Sequence, residues 1–399
     1  MLSVADALSR VVDGISPLPE ETVSLDQAHG RALSSGVAAL MTQPPFDASA
    51  MDGYAVRAAD VATVPCRLAV IGEAAAGRPF DGRVGKGEAV RIFTGGCVPE
   101  GADAIVIQED VTPEGDTITV NEGAAEGTYI RPRGFDFAEG DVLLPANRTL
   151  SARDLALAAA MNVAELTVRQ KPRVAILATG DELVMPGEQP GEGQIVSSIP
   201  YALAAMIEAA GGAPVRLGIA RDTKESLAEH IARASDADVL LTIGGASVGD
   251  HDLVQASLRE AGMALDFWKI AMRPGKPLMF GELGKQRVLG VPGNPVSAIV
   301  CTRIFLFPMI EKFLGLDAGL AEPLKARLAA PVEKNGPRQH YMRATIEQAD
   351  DGQAIVRPVR SQDSSLLSPL SQADCLLIRE PGAPAARAGD PVSYLPLDF

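Results

Sequence analysis

From Lys171 onward one pattern governs the chain: an apolar run, a polar loop rich in glycine, then an amphipathic stretch. "RVAILATGDEL" has the composition of a buried strand that empties into a polar loop, and "SSIPYALAAMIEAAGG" reads as a helix closed by Gly211. "APVRLGIARD" and "TKESLAEHIARAS" repeat the pair, the helix starting at Thr223. "ADVLLTIGG" is a third strand, and "QRVLGVPGNPVSAIVCTRIFLF" a further strand that turns into a long helix. Such alternation predicts a parallel sheet with helices on both faces. Ligands of such sheets bind beyond the carboxyl ends of the strands.

The flanks have a different texture. "LSVADALSRVVDGI" is apolar at Val4, Leu8, Val11 and Val12, a helical period. Between about residues 66 and 145, short runs such as "EAVRIFTGG" and "ADAIVIQED" are punctuated by glycine and proline, as in a small β-rich module. "SARDLALAAAMNV" is helical again, with Ser151 at the N-cap and Asp154 in capping-box position. Helices before and after the module suggest that it is inserted into a helical domain. The tail from about 323 returns to β texture, as a barrel or a sandwich. A chain of 399 residues is too long for one core, and two to four domains are expected.

Four polar loops follow strands of the α/β region and should converge at one sheet edge. They contain Thr179, Gly180 and Glu182; Asp222; Gly244, Gly245, Ser247, Gly249, Asp250 and Asp252; and Pro292, Gly293 and Asn294. N–H groups exposed at glycine turns and helix starts favour anions, phosphate above all. The third loop can also be read as G-x-S-x-G, a hydrolase nucleophile elbow. That reading lacks partners: His251 is four residues from Ser247, His340 lies in the β tail, and "GDHD" prolongs the loop where an elbow would launch a helix. Lys269, Arg273 and Lys276 stand on a proline-stiffened segment beside these loops. In a protein of net charge −15, such a group of cations suggests an anion clamp. Glu182, Asp222, Asp250 and Asp252 near phosphate-binding loops make sense with a cation between them, and Mg²⁺ is the usual one.

The same net charge argues against nucleic-acid or membrane-surface partners. Four scattered Cys without C-x-x-C, and four His without H-E-x-x-H, argue against a zinc or redox centre. With no secretory h-region, they point to the cytoplasm.

Six blocks, "PPFDASAMDGYAVR", "RIFTGGCVPEGADAIVIQED", "ATGDEL", "GGASVGDHD", "MRPGKP" and "GVPGNPVSA", together resemble the molybdopterin molybdenumtransferase (molybdenum insertase) family, which includes the E domain of gephyrin. The resemblance implies a multidomain α/β plus β fold. A helical N-terminal domain covers 1–45 and 137–170, an inserted β-rich domain 46–136, an α/β molybdopterin-binding-like domain 171–322, and a C-terminal β-barrel domain 323–399. It implies an elongated homodimer and a reaction in which adenylylated molybdopterin and molybdate give molybdenum cofactor and AMP with Mg²⁺. Molybdopterin adenylyltransferase and molybdenum-enzyme acceptors are the implied partners.

Carried onto this sequence, the resemblance makes Asp52, Asp136, Glu182, Asp222 and Asp252 catalytic, with Asp52 reaching the partner's site. Glu182, Asp222 and Asp250 would hold metal. Thr179, Gly180, Gly244, Gly245, Ser247, Gly249, Lys269, Arg273, Lys276, Pro292, Gly293, Asn294, Arg343 and Ser364 would bind substrate. The chain departs from the family at Arg273, where lysine is frequent, at "GDHD" in place of "GExD", and at "QDSS" around Ser364. Two other readings remain: a pyrophosphatase or adenylyltransferase of a related type, and a non-catalytic scaffold like gephyrin.

Overall fold

A computed structural model describes residues 1–245, 253–319, 322–349 and 351–399. At its centre is a six-stranded sheet in the order Ala213–Ala220, Arg173–Thr179, Val239–Ile243, Gln286–Val291, Met279–Leu283 and Ala264–Phe267. The first four strands are parallel, as the strand–loop–helix alternation requires; Met279–Leu283 runs antiparallel to them, and Ala264–Phe267, antiparallel to Met279–Leu283 in turn, returns to the first direction. The reversal comes from a hairpin at Gly284 and Lys285, which joins Leu283 to Gln286; Gly284 takes a φ of +61°, suited to such a tight turn.

Strand alternation sorts the buried residues onto two faces. Val174 and Ile176 pack with Ile199, Leu203, Met206 and Ile207 of the helix Ile199–Ala209. Ala175 and Leu177 pack on the other face with Leu227 and Ile231 of the helix Lys224–Arg233. Burial of each large aliphatic side chain here contributes about 1.5–3 kcal/mol. Thr223 caps the second helix by accepting from the Ser226 N–H at 3.2 Å. The helix after the last central strand starts at Pro295, passes through a π turn at Thr302–Leu306 and ends at Phe313.

The N-terminal helix Val4–Val12 buries Val4, Ala7, Leu8 and Val11 in the core that holds the helix Phe307–Phe313. Strands from either side of the β-rich segment pair with one another, Glu20–Ser24 with Glu165–Arg169 and Ala32–Leu33 with Arg148–Thr149. The helix Ala152–Ala160 lies beside this sheet with its capping box formed: Ser151 N–H donates to Asp154 at 2.8 Å, and Asp154 N–H returns to Ser151 Oγ. The intervening segment folds as a six-stranded sheet of its own, centred on Gly53–Val56 and Glu88–Ile92.

The tail closes into a five-stranded barrel. Gln339–Gln348 pairs with both Ala354–Pro358 and Cys375–Arg379, and Leu324–Leu328 and Pro391–Pro396 complete the ring. Met272–Arg273 of the α/β unit adds to the barrel alongside Gln339 and His340, so the two units share a strand pairing.

Candidate active site

Connections from the strand Arg173–Thr179 lead first to one side of it, to Ala213–Ala220, and then to the other, to Val239–Ile243. The crevice at this switch point is where an open α/β sheet takes its ligands. Register brings the loops together there: Ala178 lies opposite Ile243, and Ile243 opposite Val291. Thr179, Gly244 and Pro292 therefore leave the sheet side by side. On the other flank Thr179 pairs with Ala220, which sets Gly180 next to Arg221.

A cavity of about 510 Å³ opens at this edge. Thr179, Glu182, Gly244, Gly245, Pro292, Gly293 and Asn294, all expected from the sequence, line it. Thr179 Oγ1 is spent on the Ile243 carbonyl at 3.3 Å, so it braces the wall. Gly244 has a φ of +90°, and a β-carbon there would meet Thr179 Oγ1 at 3.1 Å. Glycine is therefore needed both for the turn and for the close approach. The starts of the helices at Ile199 and Pro295 also border the cavity, and neither Ser198 nor Asn294 uses its side chain as a cap. Helix starts offer N–H groups and a positive dipole end to an anion.

The carboxylate loops are knitted together. Arg221 Nη1 donates to the carbonyls of Asp181 and Leu183, each at 3.2 Å, and the Asp222 N–H donates to Asp181 Oδ1 at 3.3 Å. Ile195 N–H donates to the Glu182 carbonyl at 2.8 Å. Asp222 is thereby adjacent to the Glu182 loop, although it does not itself line the cavity. Among the described residues no three His, Cys, Asp or Glu side chains gather as a ready-made metal set. Ser247, Gly249, Asp250 and Asp252 lie outside the described residues.

The barrel supplies one wall. Ser364 Oγ accepts from Asn294 Nδ2 at 3.0 Å, its carbonyl accepts from the Val296 N–H at 3.0 Å, and Ser365 lines the cavity. Arg343 is 1% exposed, and its guanidinium donates to the carbonyls of Ser361, Asp363 and Leu366 at 2.8–2.9 Å. It acts as a strut beneath the segment that carries Ser364.

Other expected residues stand apart from the cavity. Lys269 sits over the Trp268 ring, 3.6 Å from its centroid. Arg273 and Lys276 are exposed, and of this segment only Pro277 reaches the cavity. Arg273 lies in register with His340 at the barrel edge. Asp52 and Asp136 belong to the first half of the chain. Asp52 Oδ1 accepts from the Thr94 N–H at 2.7 Å and from Thr94 Oγ1 at 2.9 Å, and these bonds, helped by Arg91, hold its carboxyl below the usual range. Asp136 is exposed beside Phe135, which is 66% exposed.

Sequence reasoning passed over Ser197, Ser198, Ile195 and Arg221. The Ser-Ser-Ile-Pro run marks a helix start and could have pointed to the two serines. Ile195 and Arg221 carry no such signal.

Three family models match in chain order. They are the MoeA N-terminal region (domain I and II) over residues 2–162, a probable molybdopterin binding domain over 175–312, and the MoeA C-terminal region (domain IV) over 325–397. The molybdopterin molybdenumtransferase of Haemophilus influenzae is 34% identical, with 100% of this chain and 99% of that protein covered. That of a Nostoc species is 36% identical, covering 94% of this chain and 88% of the relative. A crystal structure of a molybdopterin biosynthesis MoeA protein from Pyrococcus horikoshii superposes with a TM-score of 0.83 at 30% identity, over the whole of both chains.

Proposed function

From the premise that this chain belongs to the MoeA family of molybdopterin molybdenumtransferases, we propose that it completes molybdenum cofactor by inserting molybdate into adenylylated molybdopterin, with release of AMP. The observation that carries the reading is the cavity at the strand ends, where glycine loops and two helix starts face Glu182 across about 510 Å³.

The substrate brings a phosphoanhydride and a second anion, molybdate. Main-chain N–H groups at Gly245 and at the start of the helix Ile199–Ala209 suit the phosphates, and Lys269, Arg273 and Lys276 are read as supplying further charge. Mg²⁺ takes one or two carboxylates together with substrate phosphates and water, so a site need not present a full protein cage. Glu182 and Asp222 fit that donor set and would hold the ion, with Asp250. An ion held there by these carboxylates would supply positive charge to stabilise cleavage of the phosphoanhydride. The protein's own part is to fix the anhydride against the glycine loops and to keep the barrel segment with Ser364 and Ser365 over it.

Asp52 and Asp136 are read as contributions to the cavity of a second copy in a homodimer. What supports this is the apolar surface around them: Leu40, Phe46, Met51, Tyr129, Phe135 and Val142 are each 39–66% exposed. Apolar exposure of this kind marks an interaction surface. An upstream adenylyltransferase and downstream molybdenum enzymes are the partners this reaction needs. A cytoplasmic location accords with four free cysteines. Among the described residues no helix is long and apolar enough to cross a membrane.

The test is AMP release from adenylylated molybdopterin under anaerobic conditions, with Mg²⁺ and molybdate each added or omitted. Release that needs both ions and is lost in Asp222→Ala supports the insertase. Release indifferent to molybdate would transfer the reading to a pyrophosphatase-like activity, and no release from folded protein would leave the scaffold.

A further inference from the structure

Arg221 is exposed and forms no ion pair among the described residues, yet its geometry is specific. One nitrogen, Nη1, donates to the two carbonyls that flank Glu182, those of Asp181 and Leu183, at 3.2 Å each. The carbonyl between them, that of Glu182, takes the Ile195 N–H at 2.8 Å. Three consecutive peptide oxygens around Glu182 are thus tied down, two of them by Arg221. The arginine is itself anchored: its N–H donates to Ser226 Oγ at 3.0 Å, and its carbonyl accepts from the Thr223 N–H at 2.7 Å. The next residue is Asp222, whose N–H holds the Asp181 carboxylate. A single short segment therefore carries one carboxylate of the site and clamps the loop that carries the other.

We propose that Arg221 is a positioning residue that fixes Glu182 relative to Asp222 and thereby sets the affinity of the pair for a divalent cation. The proposal rests on the reading that these two carboxylates hold Mg²⁺. A positive charge beside a cation site weakens binding by repulsion, while a fixed carboxylate pair strengthens it by removing the cost of ordering two loops. The two effects have opposite sign, which makes the proposal testable.

The experiment compares wild type with Arg221→Ala and Arg221→Lys. Mn²⁺ binding is followed by electron paramagnetic resonance with AMP present, alongside the Mg²⁺ dependence of AMP release and the thermal midpoint. Loss of partners that orient metal ligands costs about 10- to 100-fold in metal affinity. Arg221→Ala is expected to weaken Mn²⁺ and raise the half-saturating Mg²⁺ by that factor, with turnover recovered at high Mg²⁺ and an unchanged midpoint. Arg221→Lys, whose ammonium keeps several donors, is expected to fall between the two, and it carries the test if the alanine variant does not fold. Unchanged or tighter Mn²⁺ binding in Arg221→Ala overturns the proposal, as does a turnover loss that high Mg²⁺ does not relieve. Glu182→Gln and Asp222→Asn separate the two levels. If they leave Mn²⁺ binding intact, the carboxylate reading itself fails. If they abolish it while Arg221→Ala does not weaken it, only the role of Arg221 falls.

Discussion

The carboxylate of Glu182 folds back over the α-carbon of Gly180. A β-carbon built on Gly180 would lie 2.2 Å from Glu182 Oε2 and 2.6 Å from the carboxyl carbon, and Gly180 has a φ of +142°. An alanine here would force the Glu182 side chain to swing away and would strain the backbone by roughly 1–3 kcal/mol. Gly180→Ala is expected to fold with a lowered thermal midpoint and to lose about 10- to 100-fold in Mg²⁺-dependent AMP release. Wild-type turnover in this variant would show that the position of the Glu182 carboxylate is immaterial.

Arg343 concerns the barrel wall. Three peptide carbonyls between residues 361 and 366 accept from its buried guanidinium, and losing that group leaves them without a charged donor. Arg343→Ala is expected to lower stability in urea by about 3 kcal/mol and to release the segment bearing Ser364 and Ser365. Arg343→Lys keeps the charge without the planar fork and should recover little of the loss. Urea unfolding of both variants decides it: a lysine variant as stable as wild type would exclude the strut.

The residues that face one another across the cavity were legible in the sequence because glycine and proline announce turns at strand ends, as at Gly244, Gly245, Pro292 and Gly293. The parallel strands were legible because Arg173–Thr179 and Val239–Ile243 are buried on both faces and so are continuously apolar. The antiparallel pair was not, since the turn at Gly284 and Lys285 closes a hairpin whose strands read like any buried run. Arg343 was expected to bind substrate from the family resemblance; its carbonyl partners lie 18–23 residues away, and no local pattern encodes them. Arg221 was passed over for a related reason: an arginine beside Asp222 looks like a solvated charge until register sets it against the Glu182 loop.

Asp52 and Thr94 give a prediction in solution. Two hydrogen bonds from Thr94, with the nearby Arg91, keep the Asp52 carboxyl acidic, so these bonds support the fold at neutral pH and are lost as pH falls through the lowered folded value. Thr94→Val keeps the N–H donor and removes the hydroxyl. A carbon-detected NMR titration of the Asp52 carboxyl is expected to move upward, toward the ordinary range, in the variant. An unmoved titration would mean that the hydroxyl bond is not formed.

His340 gives a pH dependence of the opposite chemical type. It is 7% exposed in the barrel, in register with Arg273 on one side and Arg379 on the other. Burial, with Arg273, Arg338 and Arg379 nearby, pushes its pKa down to about 4. An unfolded histidine titrates near 6.5, so between about 6.5 and 4 the unfolded chain binds the proton that the folded one refuses. Stability is therefore complete above the unfolded value and declines as pH falls through this window, by an amount of order 2–3 kcal/mol. His340→Gln removes the titrating group while keeping a polar side chain, and should flatten that part of the profile. Urea unfolding at pH 7.5 and pH 4.5 measures it directly. Equal slopes in wild type and variant would show that the imidazole is free to protonate in the folded barrel.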